Sequence, residues 1–276
     1  MTAGAVVDGI WAAESGARGD GGRAIRYLLV HGSLDRSAGL LKLGRRLGDS
    51  GTVVRYDRRG YGRSLPHDGP FSVADQVGDA RGVLDRFGDG RPCVVVGHSY
   101  GGNVALALAA ASRAGSASVV AAVAYEPPLS WTPWWPHVTA GGEAVRMVDA
   151  EEPVGDDRDG DAAEAFMRRL IGDDRWEHLP SERRAARRRE GRALVAELVD
   201  LRRAAPWDAD AIEVPVLAMA GARSRDHHRR AAREVGTLVR SAEHVEIDGA
   251  SHFGPNTHPD AVAARIVDFL ARRGVL

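Results

Sequence analysis

Short runs of β-branched and other apolar residues alternate along this chain with longer stretches whose apolar positions recur every three or four residues. Residues 27–30, 52–56, 93–96, 119–124, 215–220 and 243–247 are runs of the first kind and predict strands. Residues 36–49, 72–87, 99–113, 226–239 and 259–272 are stretches of the second kind and predict helices, the last with a proline in its first turn. Strand and helix in turn imply an α/β fold with a mostly parallel sheet. Strands this short and apolar need helices over both faces, so the sheet is expected to be doubly wound. Glycines within residues 5–26 suit a leading hairpin, which brings the sheet to about eight strands.

The alternation stops after Tyr125 and resumes near Val214. Residues 127–213 hold five of the six tryptophans, an acidic glycine-containing stretch at 149–161, and helical patterns at 162–171 and 181–203. They are expected to form a helical cap inserted into a core made of residues 1–126 and 214–276. The arginine-rich run 181–190 can be read as an anion patch. Interspersed Glu182 and Glu190 make a solvated helix face the simpler reading.

Composition narrows the function. A chain of 276 residues fits one core plus an insertion. With 37 Lys plus Arg against 38 Asp plus Glu, the net charge of -1 leaves no electrostatic footprint for nucleic acid or anionic lipid. Lys42 is the sole lysine, which removes Schiff-base chemistry and a Walker-type phosphate lysine. The lone Cys93 has no internal disulfide partner and precedes a valine run, where it is expected to pack as a small hydrophobe. No secretory h-region appears in residues 1–11, and the apolar stretches 104–111 and 119–125 fall short of a bilayer span. A cytoplasmic protein without a membrane segment is expected.

The sharpest local signal is a valine strand running into Gly97-His98-Ser99-Tyr100-Gly101 and then into an alanine-rich helix. A serine hydroxyl is a poor nucleophile and needs an exposed, sharply turned position; small residues two places either side let the chain make that turn. The helix that follows presents unpaired N–H groups and a favourable dipole to developing negative charge, which makes the Tyr100 amide one oxyanion donor.

Four motifs at the ends of predicted strands occur in order: His31-Gly32-Ser33, the loop from Asp57 to Ser64, the Ser99 elbow, and Gly249-Ala250-Ser251-His252. Together they resemble the α/β-hydrolase superfamily over residues 25–126 and 214–276. The resemblance implies that the Ser33 amide is the second oxyanion donor and that the base lies late in the chain, where His252 fits best. His258 is a weaker rival. His31 and His98 fall within motifs whose usual role is packing. His227 and His228 lack metal-ligand spacing, so no metal and no cofactor are implied.

The commonest family pattern puts an aspartate after the strand at 215–220, but Ser224 stands there. A hydroxyl has no charge to steady an imidazolium. Some relatives carry the acid one strand earlier, where Glu126 ends the strand at 119–124 and two prolines follow. Glu126 is the preferred acid, with Asp226 as the alternative. A serine rather than an aspartate at the nucleophile position argues against epoxide hydrolase and haloalkane dehalogenase chemistry. The expectation is a cofactor-free serine hydrolase of a small-molecule ester, lactone or thioester, with carbon–carbon bond hydrolysis inside the same chemistry. Two other classes stay open: a cofactor-free oxygenase or peroxidase in which Ser99 only hydrogen-bonds, and a ligand receptor without turnover. Trp131, Trp134 and Trp135 follow Glu126 closely and either line the pocket or pack within the cap.

Overall fold

The computed structural model describes residues 4–16, 25–87, 90–112, 119–137, 142, 144–146 and 157–276. Eight strands form one sheet: β1 (Ala5–Val7), β2 (Ile10–Gly16), β3 (Ile25–Val30), β4 (Gly51–Tyr56), β5 (Cys93–His98), β6 (Val119–Tyr125), β7 (Val216–Gly221) and β8 (Ala242–Ile247). Their order is β1-β2-β4-β3-β5-β6-β7-β8. The leading hairpin is antiparallel within itself and to β4, and every other pairing is parallel.

Alternation along the central strands builds two cores. Tyr27 and Leu29 of β3 pack with Val94 and Val96 of β5 beneath Ile266 and Phe269, from the helix Pro259–Arg272. Leu28, Val30 and Val95 face the other way, against Val104 and Leu108 of the helix Tyr100–Ala110 and Val235 of the helix Asp226–Leu238. Both faces of β3 and β5 are buried, as their unbroken apolar runs require. The edge strand β8 is half-exposed and departs from that rule. Its Glu243 pairs with Arg272 and Arg273, and Glu246 with Arg229 and Arg233, charges that discourage pairing with a further strand.

Within residues 127–213 the described helices include Arg158–Ile171, Asp173–Glu177, Ser181–Arg188 and Gly191–Arg203. The acidic stretch expected at 149–161 lies partly outside the described residues, which resume at 157. The single helical pattern at 181–203 divides at Arg189 and Glu190. The Glu190 carboxylate is fully buried there, and Oε1 accepts from Arg36 Nη2 at 2.7 Å and the Gly62 amide at 2.9 Å. Phe166, Met167, Trp176, Leu194 and Leu198 form a third apolar cluster with Leu34, Tyr61 and Phe71, which belong to the loops after β3 and β4. These helices therefore sit on loops at the C-terminal ends of the strands.

A buried ion pair fastens this contact. Arg58 Nη1 donates to Glu197 Oε2 at 2.7 Å, and Tyr61 Oη to Oε1 at 2.7 Å. Burial opposes the Arg58 charge, yet Glu197 and the surrounding rings raise its pKa on balance. Removing one partner of such a pair strands the other charge in the interior, at a cost of about 3–5 kcal/mol. Glu197→Ala is accordingly expected to lower the urea midpoint of unfolding sharply. A midpoint equal to that of the wild type would show the clasp to be energetically idle.

Candidate active site

Ser99 sits between β5 and the helix Tyr100–Ala110 with φ 54° and ψ -125°, a conformation uncommon for any residue but glycine. Its geometry explains the glycines. A Cβ on Gly97 would lie 2.0 Å from the Gly101 carbonyl oxygen, and one on Gly101 would lie 2.3 Å from that of Val30. Strand, elbow and helix thus approach closely enough that neither position tolerates a side chain. The Ser99 amide is held by the Tyr125 carbonyl at 2.8 Å, and the half-buried side chain faces a cavity. Tyr100 opens this helix, so its amide has no acceptor within it.

Glu126 follows β6 with φ 50° and is fully buried. Two non-glycine residues with positive φ thus stand at the ends of adjacent strands, and strain of this kind costs about 1–3 kcal/mol each. The Glu126 carboxylate accepts three hydrogen bonds. Oε2 takes the His252 Nδ1–H at 2.7 Å; Oε1 takes the Gly221 amide at 2.7 Å and the Ser224 hydroxyl. The serine found where an aspartate was expected therefore serves the carboxylate that stands one strand earlier. Burial raises the Glu126 pKa, but the hydrogen bond and charge of His252, with Ser224 and Gly221, outweigh it and leave the group below the usual carboxylate range. Asp226, the alternative acid, is fully exposed and meets Arg229 at 3.8 Å.

With Nδ1 donating to Glu126, His252 keeps Nε2 as its acceptor. Its loop is tied down by Tyr125 Oη, which donates to the Ser251 carbonyl at 2.8 Å, and by His98 Nε2–H, which donates to the His252 carbonyl at 2.8 Å. Burial and the nearby His252 push the His98 pKa down to about 3, so this ring stays neutral and structural. His31 is likewise a bracing group: it accepts the Arg58 amide on Nε2 at 2.9 Å and donates Nδ1–H to the Gly32 carbonyl at 2.8 Å. His258 bonds Thr257 on the surface. Among the described residues Ser99 Oγ and the His252 ring face one cavity without a direct hydrogen bond.

The cavity has two lobes that share Ser33, Ser99, Phe166, Leu170, His252 and Phe253. One, of about 290 Å³, continues past Trp135, Arg202 and His228; the other, of about 380 Å³, past Leu34, Leu40 and Met167. Of the three tryptophans considered, Trp135 reaches the cavity. Trp131 packs edge-on against Trp207 at 5.8 Å, and Trp134 Nε1 donates to Glu234 beneath the Arg230 guanidinium. Ser33 lines both lobes, and its hydroxyl donates to Glu197 Oε1 at 2.5 Å.

One neighbour escaped the sequence reading. His228 stacks on His252 with ring centroids 4.4 Å apart and planes 28° apart. Its Nδ1 is 3.9 Å from Glu126 Oε2 and makes no hydrogen bond. Glu126, His228 and His252 place one ligand atom each within 4.8 Å of the others. Near-parallel rings, however, send their in-plane lone pairs side by side rather than toward one point, a poor start for tetrahedral metal ligation. No helix among the described residues is long and apolar enough to cross a membrane.

Known proteins resemble this chain in sequence or in fold. The mycobacterial lipase LipV of Mycobacterium tuberculosis is 40% identical over 86 residues, 31% of this chain and 32% of that protein. The chain spans between 22% and 42% of the length of the curated relatives it matches. The enol-lactonase from Burkholderia xenovorans LB400 superposes with a TM-score of 0.70 at 24% identity, covering 98% of this chain and all of the other. A thermophilic esterase from Thermogutta terrifontis gives 0.71 at 21% identity, covering 100% and 99%. At such identities these two likenesses speak for the fold. The family model described as the alpha/beta hydrolase family matches residues 27–265, and the chain belongs to that family.

Proposed function

We propose that this chain is a cofactor-free serine hydrolase of small-molecule esters, lactones or thioesters, acting through an acyl-enzyme on Ser99. The observation that carries this reading is the 2.7 Å bond from His252 Nδ1–H to the buried Glu126 carboxylate, beside a serine on a strained elbow in the same cavity. Glu126 fixes the tautomer that leaves His252 Nε2 free to take the Ser99 proton. Ser99 Oγ then attacks the acyl carbon. The amides of Ser33 and Tyr100 receive the oxyanion, and each such donor lowers the barrier by roughly 3–4 kcal/mol. His252 returns the proton to the leaving group, and water, deprotonated by the same ring, releases the acid. The open Ser99–His252 contact fits an empty site, since catalytic hydrogen bonds often tighten only around substrate. Residues 127–213 serve as the cap that closes the cavity and sets its shape.

A fluorophosphonate probe tests the reading directly. Mass spectrometry of the labelled, folded protein is expected to place one phosphonate on Ser99, with labelling lost in His252→Ala. A folded protein that binds the probe reversibly yet gains no adduct would remove Ser99 from the nucleophile's role.

A further inference from the structure

The smaller lobe of the cavity is one-sided in charge. Its lining includes Arg202, Arg223 and Arg225 together with His227, His228 and His252, and among the described residues no aspartate or glutamate lines it. This in a chain whose acids and bases nearly balance. Some half-buried arginines elsewhere meet carboxylates, as Arg36 meets Glu190 and Arg59 meets Asp79, while Arg55, like Arg202, bonds a backbone carbonyl, though away from this cavity. Arg202 Nη1 donates to the Leu198 carbonyl of its own helix at 2.8 Å. Burial and the neighbouring charge of Arg146 both hold its pKa below the usual arginine value. The side chains of Arg223 and Arg225 are exposed at the rim and make no hydrogen bond or ion pair among the described residues. Arg225 adds to burial in holding the His227 pKa down. A half-buried guanidinium without a counter-charge is an unfavourable arrangement in the empty protein, and an incoming anion relieves it.

We propose that the substrate carries, besides its acyl bond, an anionic oxygen group, a carboxylate or a phosphate, which Arg202 binds in the smaller lobe with Arg223 and Arg225 at its rim. The word substrate rests on the serine-hydrolase reading above; the anion site does not. The larger lobe carries charge of both signs, with Asp35, Arg175 and Arg187 in its lining, and its Leu34, Leu40 and Met167 side then takes the apolar portion on the other side of the scissile bond.

The test compares mono-p-nitrophenyl esters of succinic, glutaric and adipic acids with uncharged p-nitrophenyl esters of matched chain length. A charge-assisted hydrogen bond contributes about 1.5–3 kcal/mol, so at least one half-ester is expected to exceed its uncharged partner in kcat/KM by about ten- to a hundredfold. Arg202→Gln is expected to bring that ratio near one, chiefly through KM, and added salt to shrink it. The exposed double variant Arg223→Gln/Arg225→Gln, which touches no packing, is expected to reduce the ratio by a smaller factor. Uncharged esters cleaved as well as all the half-esters, or a ratio that survives in both variants, would overturn the proposal. Calorimetric titration of Ser99→Ala protein with glutarate and with inorganic phosphate separates the two readings. Binding that disappears on adding Arg202→Gln keeps the anion site even if neither ester series is cleaved, and the tighter ligand names the group. Binding of neither anion overturns the site while leaving the serine chemistry to its own test.

Discussion

Ser99→Ala is expected to lower kcat on an activated ester by roughly six orders of magnitude, because nucleophile and base act as a unit and losing either forfeits nearly all the covalent chemistry. The change is small in volume. The elbow is held by backbone contacts, the Ser99 amide to the Tyr125 carbonyl and the Gly102 amide to the Ser99 carbonyl, and alanine retains both. Folding is therefore expected to be unchanged, and substrate binding should change little while turnover vanishes. The same variant separates the three classes of function open to this fold. A cofactor-free oxygenase would continue to consume oxygen through the His252 base, and a receptor would show no multiple turnover before or after the change. Stopped-flow release of p-nitrophenolate, run beside an oxygen electrode, reads all three. Retention of more than about a hundredth of kcat would mean that another group attacks the acyl carbon.

The parts of this site legible in the sequence are those fixed locally. The Ser99 elbow depends on Gly97 and Gly101, two places on either side, and the close approach of the Gly101 and Val30 carbonyls requires both. Five of the six parallel strands followed from apolar runs that admit no wet face; the sixth, β8, carries Glu243 and Glu246 and is half-exposed. What the sequence left open depends on contacts between distant residues. Which tryptophan reaches the cavity was hidden because Trp131 finds Trp207, 76 positions away, and Trp134 finds Glu234, 100 positions away. The clasp of Arg58 by Glu197 spans 139 positions and carries no local signature; Glu197 looks like any polar position of an amphipathic helix. The break at Glu190 was likewise invisible, since its half-buried partners Arg36 and Gly62 lie 154 and 128 positions away. His228 was set aside for want of metal-ligand spacing, yet its place just after the β7 loop was the available signal that it would meet His252 and Glu126.

The second large effect distinguishes the two candidate acids. Three donors converge on Glu126: the His252 Nδ1–H, the Gly221 amide and the Ser224 hydroxyl. A carboxylate offers acceptors on both oxygens and satisfies all three. Glu126→Gln keeps the shape but replaces one oxygen with an NH2 group that only donates. If its carbonyl stays with Gly221 and Ser224, the NH2 faces His252 and forces Nδ1 to accept, which moves the ring proton to Nε2 and blocks removal of the serine proton. The reverse amide orientation sets NH2 against the Gly221 N–H in a buried place. Loss of the carboxylate also leaves the imidazolium formed during attack without its counter-charge. A tautomer-reversing change of this kind costs about four orders of magnitude in kcat, and Glu126→Gln is expected to show that loss. Asp226→Asn, on an exposed side chain whose nearest charge is Arg229, is expected to change kcat by less than about threefold, as surface substitutions generally do. Steady-state kinetics on the two purified variants, with melting temperatures measured alongside, decide the matter. A large loss in Asp226→Asn with little change in Glu126→Gln would move the acid to the loop after β7 and reduce the Glu126–His252 bond to a structural brace.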